Sequence, residues 1–265
     1  NITGDGAVTF AGDVTTVTKL NFPNNSTATA TIAAGKRIIG VVDAVSDDGI
    51  LIFEANTSNL EYVSSTTGAS GAVNAITVTP TGSTITGKFT GAVVATNVTN
   101  AGTGVLTYTA AMTGITNITA KGGVSIAGTH TGAIVNTQDG YGVVTILDGI
   151  DVTGAIGTAG SADFLSVNST SATTGDTTTY GGAVSAIDVN ITGAGTADFD
   201  GDVTGNVTGN VTGALTGNAS TVTTNANLTG HVTSSGNAAV LGSFTVAQLS
   251  SALSDASISG NNTGD

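Results

Sequence analysis

Three aspartates at alternate positions, Asp198, Asp200 and Asp202, form the densest cluster of chemistry-bearing side chains in the sequence. On a straight strand, residues at i, i+2 and i+4 project from one face. The three carboxylates would repel there unless a hard cation with oxygen ligands, such as Ca2+, relieved them. The spacing lacks the glycine and distal glutamate of an EF-hand loop, so simple solvated acids are the competing reading. Asp5 and Asp13 offer a thinner version of the same group, with Thr9 and Ala11 between them, and Asp47-Asp48 before Gly49 reads as a turn. Glu54 and Glu61, on one predicted hairpin, have the residue types of a glycosidase carboxylate pair. With no Trp and 4 Tyr, however, the chain has little with which to line a sugar groove. His130 and His231 are about a hundred residues apart, each in a Thr/Gly-rich turn context, and no nucleophile elbow accompanies any serine. The expectation is of no catalytic residues and no enzyme.

Asparagines in Asn-X-Ser/Thr context recur at Asn25, Asn56, Asn97, Asn168 and Asn206. Many such sequons arise by chance in an Asn- and Thr-rich chain, but in a glycosylating organism they would make a dense acceptor surface. Otherwise the same residues would stack as side-chain ladders along a rod.

The elements that carry these groups are read from composition. Of 265 residues 9% are charged, against roughly 25% in ordinary globular domains, while 39% are apolar. Disorder needs low hydrophobicity together with high net charge, and that combination is missing. Abundant Val, Ile and Thr favour pleated, half-buried surfaces, so the chain is expected to be all-β. The net charge of −13 reflects scarce cations: Lys19, Lys36, Arg37, Lys88 and Lys121 stand against 18 acids. That excludes nucleic acid as a partner, because phosphate binding rests on Lys and Arg, and disfavours anionic membranes. No apolar run approaches the roughly 20 residues of a membrane span, so no membrane insertion is expected. With Cys 0 there are no disulfides. Long sheet ladders, oligomerisation or bound Ca2+ would have to hold a secreted chain instead. The sequence begins at Asn1 without Met or a signal peptide, which reads as a processed product or a fragment.

Internal repetition is the strongest signal. Residues 1–15 (NITGDGAVTFAGDVT) and 190–204 (NITGAGTADFDGDVT) agree at ten of fifteen positions. A third copy runs from Asn117 to Thr131, and a weaker one begins at Asn97. A longer pattern relates 49–76 to 142–167, each followed by Gly-Ala-Val (91–93 and 182–184), giving a period near 90 residues with sub-units near 20. A 20-residue unit suits one coil of a β-solenoid, which cannot bury its own apolar face and must stack on neighbours. About 13 such coils at ~4.8 Å would make a rod on the order of 60 Å long. From Val203 the texture becomes VTGNVTGNVTGALTGNAST, with Val203, Val207, Val211 and Leu215 on one strand face. This reads as an intertwined shaft or, alternatively, a low-complexity linker. Thr245 and Gln248 form a capping box with Phe244 and Leu249 at the staple positions, predicting one short helix over 246–254. Two domains result: a repetitive solenoid over 1–202 and a shaft or assembly segment over 203–265.

The motifs NITxxGxVTFxGDVT and GVVTILDGIDVTGAIGTAG (142–160) resemble passenger repeats of bacterial surface antigens and autotransporter-type adhesins, and the tract from Phe199 onward resembles phage tail-fibre shaft repeats. The first resemblance implies secretion, β-solenoid passengers and roles in surface coating or adhesion. The expected fold is thus an elongated all-β solenoid fibre with one short helix near its C-terminus. The expected role is an extracellular or cell-surface structural segment whose partners are copies of itself, with a host surface glycan or receptor as a further candidate. A homotrimeric tail-fibre shaft on a virion is the first alternative, and a β-helical polysaccharide-degrading enzyme the second.

Overall fold

The computed structural model describes residues 2, 4–24, 27–45, 47–147, 149–158, 163–171, 173–208, 232–235 and 238–241. Among them there is no helix. Two compact units divide the chain, Asn1–Val211 and Thr212–Asp265. The first is a parallel β-solenoid of about nine turns. In the second, Val232–Ser235 and Ala238–Leu241 pair antiparallel. The helix expected over 246–254, the shaft tract from 209 on and His231 lie outside the described residues.

Each turn lays three successive stretches onto three parallel ladders, here called sides A, B and C. Side A begins Ala7–Phe10, Thr29–Ile32, Asp48–Phe53 and Val73–Val78, and continues through Asn97–Asn100, Ile115–Ile118 and Ile134–Asn136. Side B stacks nine rungs: Val14, Ile38, Val63, Phe89, Tyr108, Ile126, Ile146, Ser169 and Ile191. Side C stacks Leu20, Val42, Thr67, Val93, Met112, His130, Val152, Tyr180 and Phe199. Rungs on side B are 18 residues apart at the tightest (Tyr108 to Ile126) and 26 at the widest (Val63 to Phe89). The mean is nearer 22 than 20, so the described solenoid holds fewer and longer coils than expected. Its nine rungs span ~38 Å at the usual strand spacing.

Alternation explains the strands. In Thr29-Ala30-Thr31-Ile32 and Val105-Leu106-Thr107-Tyr108, every second residue is buried, as a period of two requires. The buried set makes one continuous core from Leu20 to Val189, so each coil borrows its apolar contacts from its neighbours. Aromatic rings run up its middle: Phe53–Tyr62 at 4.7 Å, Tyr62–Phe89 at 5.7 Å, Phe89–Tyr108 at 6.1 Å and Tyr108–His130 at 6.0 Å between centroids. Such pairs add about 0.5–1.5 kcal/mol each beyond their burial.

The repeated 15-residue unit does not occupy one fixed place in the coil. In the first copy Ile2 hydrogen-bonds to Asn21 on side C, Ala7–Phe10 lies on A and Val14 on B. In the copy at 117, Ile118 is on A, Gly123–Ile126 on B and His130 on C. In the copy at 190, Ile191 is on B, Phe199 on C and Val203 on A. The sequence unit therefore encodes strand, corner, strand, and any side accepts it. The ~90-residue pattern behaves alike: Gly-Ala-Val ends at Val93 on side C in one copy and at Val184 on side A in the other. Residues 48–63 are likewise not a hairpin; Asp48–Phe53 and Leu60–Val63 are consecutive sides of one turn. Strand Val203–Thr208, expected to open a separate shaft, pairs with Val184–Gly193 as the last described rung of the solenoid.

One corner shows why glycine is so abundant. Between sides C and A, Gly114, Gly132, Gly154, Gly182 and Gly201 stack directly over one another. A Cβ on Gly154 would sit 2.1 Å from the Gly132 carbonyl oxygen, and one on Gly132 2.2 Å from that of Gly114. Only glycine lets the backbones approach this closely.

Candidate functional site

The aspartate triplet does not share one strand face. Asp198 lies in Thr196–Phe199, which ends before Asp200. The chain then turns at the corner glycine Gly201, so Asp202 opens side A, where its carbonyl accepts from Val184 N–H. All three side chains are exposed. Among the described residues no three His, Asp or Glu side chains are grouped to hold a metal ion. Asp5 and Asp13 are engaged elsewhere, accepting from the backbone N–H groups of Thr27 (3.1 Å) and Arg37 (3.2 Å) one turn on. Asp47 adopts φ 48° and accepts from the Thr96 hydroxyl at 2.7 Å. Asp48 begins a side A strand and is buried.

Glu54 and Glu61 stand on different sides with different duties. Glu54 accepts from Ala34 N–H at 3.2 Å, whereas Glu61 takes Arg37 at 3.3 Å and the Thr90 hydroxyl at 2.7 Å. Beside Glu61 is a depression lined by Asn59, Leu60, Glu61, Thr86 and Lys88, with no aromatic side chain in it.

The sequons divide by orientation. Asn56 faces the interior at 2% exposure; its amide donates to Ser58 and its oxygen accepts from Tyr62, leaving no room for a glycan on the folded chain. Asn97 and Asn168 are half-exposed and belong to outward ladders: Asn117 donates to Asn97 at 3.3 Å and Asn190 to Asn168 at 3.0 Å. Asn206 is exposed and donates to Asp188. Asn25 is outside the described residues.

His130 is a core residue rather than a turn residue. With the proton on Nδ1, its ring donates to the Gly132 carbonyl (3.1 Å) and accepts from the Thr116 hydroxyl (2.9 Å), which in turn accepts from Tyr108 (3.1 Å). Burial, only partly opposed by backbone hydrogen bonding, lowers its pKa to about 4, so the imidazole is neutral at ordinary pH. Burial likewise raises the Tyr108 hydroxyl well above its ordinary range. Sequence reading missed this buried chain, because its members are 8 and 14 residues apart and meet only when the coil is closed.

Two polar columns stitch the first turns together. Asp43, 1% exposed, accepts from Lys19 Nζ at 2.6 Å, from Ser70 N–H at 2.6 Å and from the Ser70 hydroxyl at 2.7 Å, tying three turns together. Burial alone would raise its carboxyl; the Lys19 ammonium and Ser70 outweigh that and hold it at about 2. Arg37 lies between Asp13 (4.0 Å) and Glu61 (3.3 Å) on side B. These groups bond one another across turns, which is what a structural element does.

Comparison with protein-family models, with curated proteins and with solved structures finds no match. The reading of function therefore rests on the geometry alone.

Proposed function

We propose that this chain is a structural segment of an extracellular or cell-surface fibre or layer, not an enzyme, and that it works by assembling with copies of itself. The observation that carries this reading is the ladder topology. Every strand of the solenoid runs parallel, and among the described residues Ala7–Phe10 and Val203–Thr208 pair on one flank only. Strand edges of this kind are templates for further chain, and parallel stacking is heterologous, so it extends rather than closes. Core columns reach both ends of the described residues, where Val8, Phe10, Ala197, Phe199 and Val203 are only partly buried. Asp5, Asp13, Asp43, Glu54, Glu61 and His130 are committed to cross-turn bonding, which supports a structural role.

The test is assembly of the purified full chain, followed by light scattering across concentration and by negative-stain microscopy. Rods lengthening with concentration are expected. A monodisperse monomer at high concentration would overturn the reading, and a compact trimer would replace it with the tail-fibre shaft.

A further inference from the structure

Over the first turns one side of the solenoid differs from the other two in a way the assembly reading does not use. Outward positions on side A form two straight columns. One runs Thr9, Thr31, Ile52, Thr77, Thr99 and Asn117, each paired rung to rung with the next. The other runs Ala7, Thr29, Ile50, Ala75, Asn97 and Ile115 in the same register. All are exposed or half-exposed while their strand neighbours Ala30, Leu51, Ile76 and Val98 are buried. None is charged, in a chain of net charge −13. Side B by contrast presents Glu61 opposite Lys88, and side C presents Lys19 and the Asp151–Thr179–Asp198 column.

We propose that side A binds ice: a growing crystal of water is the ligand to which this surface is matched. The parallel ladder fixes a repeat of ~4.8 Å along the rod and ~6.6 Å between the two columns, the first close to the separation of equivalent oxygens in hexagonal ice. Threonine is stiff at χ1, so its methyl and hydroxyl keep their places, and the hydroxyl both donates and accepts. Methyl groups of Ala, Ile and Thr between the hydroxyls leave adjacent water to bond with itself, as it must to join a lattice. A charge would impose its own hydration shell, and these two columns have none. A backbone ordered by its ladder has little freedom left to lose on binding. A protein partner is served less well. The two columns span on the order of 300 Å2, well short of the ~800 Å2 per partner of a stable interface. A growing crystal has no such requirement, because ice advancing around the adsorbed molecule holds it in place.

The experiment uses the full chain, monodisperse in buffer, so that failure to assemble into fibres leaves it unaffected. Ice recrystallisation inhibition and thermal hysteresis are measured for the native protein, Thr31→Lys, Thr77→Lys and, as a side B control, Thr145→Lys. Circular dichroism confirms that each is folded. The native chain and Thr145→Lys are expected to inhibit recrystallisation at similar concentrations. The two side A variants should need roughly tenfold more, since each puts a desolvation cost into the contact. The proposal is overturned if the native chain behaves like an unrelated acidic protein at equal mass. It is equally overturned if all three variants lose activity together. Sedimentation showing a dimer that Thr77→Lys dissociates would assign side A to a second copy of the chain instead.

Discussion

The first three turns and the last four share one backbone ladder but are held by different side-chain chemistry. All five Lys and Arg lie at or before Lys121, against seven acids; after it there are eleven acids and no Lys or Arg. Every ion pair among the described residues belongs to the first three turns: Lys19–Asp43, Arg37–Asp13 and Arg37–Glu61. Corners there are mixed: a Cβ on Gly4, Gly6, Gly12 or Gly35 would meet nothing within 4 Å, whereas one on Gly49, Gly68 or Gly71 would sit 2.1 Å from Phe22, Val94 or Val45. In the last turns the corner between sides C and A closes onto stacked glycines, and polar groups pair as Asn190 with Asn168, Asn206 with Asp188 and the buried Ser185 with Asp163. The ladder thus sets the fold, and either charge or close backbone packing can lock one coil to the next.

The largest expected break in this comparison is steric. Gly132 has φ +125°, and a Cβ there would lie 2.2 Å from the Gly114 carbonyl oxygen. Gly132→Val should cost at least ~3 kcal/mol, because strained φ and backbone overlap both oppose it. Gly12→Ala in the first turn should stay within ~0.5 kcal/mol of the native chain. Urea melts of the two variants check this; equal losses would mean the two regions do not differ in how their corners pack.

Next in size is the response to acid. The folded His130 pKa, about 4, lies below the ordinary value of 6.5, so the unfolded chain binds the extra proton first. Stability is therefore full above pH 6.5 and falls as pH drops toward 4, by ~3 kcal/mol. The charged and titratable groups on neighbouring turns do not offset this, since Tyr108 and Thr116 facing the ring are neutral. His130→Gln should remove the slope across that window while lowering stability at pH 7, and denaturant melts from pH 7 to 4 measure both.

These two cases mark what the sequence made legible. Gly and Asn spacing, β-branched content and recurrence of the NIT unit pointed to a solenoid, because such features report on strands and corners, which are local. The side on which each copy falls was not legible: coil length varies from 18 to 26 residues, and register accumulates over the whole stack. The single strand face expected for the aspartate triplet is not formed, for a related reason. Alternation places Asp198, Asp200 and Asp202 together only on a straight strand, and Gly201 is one of the corner glycines. Asn56 satisfied a sequon pattern that carries no information about which way a side chain points. His130 looked like a turn residue because Thr and Gly flank it, although in a solenoid a two-residue strand between corners still projects one side chain into the core.

Asp43 sharpens the comparison from the N-terminal end. Its carboxyl is held at about 2, below the ordinary value of 3.8, so the folded chain resists protonation there. This contribution is fully present above pH 3.8 and is lost as pH falls through 2, on the order of 2 kcal/mol. That window lies below the one for His130, so the two regions should weaken at separate acidities. Asp43→Asn should abolish the lower step and leave the upper one intact. Hydrogen exchange resolved by turn would show the loss confined to residues near Lys19, Asp43 and Ser70.

The smallest effect should come from Arg37, whose side chain is 41% exposed between partners of 45% and 23% exposure. Exposed pairs of this kind contribute about 0.2–1 kcal/mol and are screened by salt. Arg37→Gln should thus cost a few tenths of a kcal/mol at low ionic strength and nothing measurable once the Debye length falls to ~3 Å near 1 M salt. Over the same range the native chain should gain stability, because salt also screens repulsion among the eleven acids that follow Lys121, which no Lys or Arg offsets. Melting temperatures of both proteins against NaCl concentration would separate the two trends. A native chain that loses stability with salt would mean that the ion pairs of the first turns outweigh the repulsion of the rest.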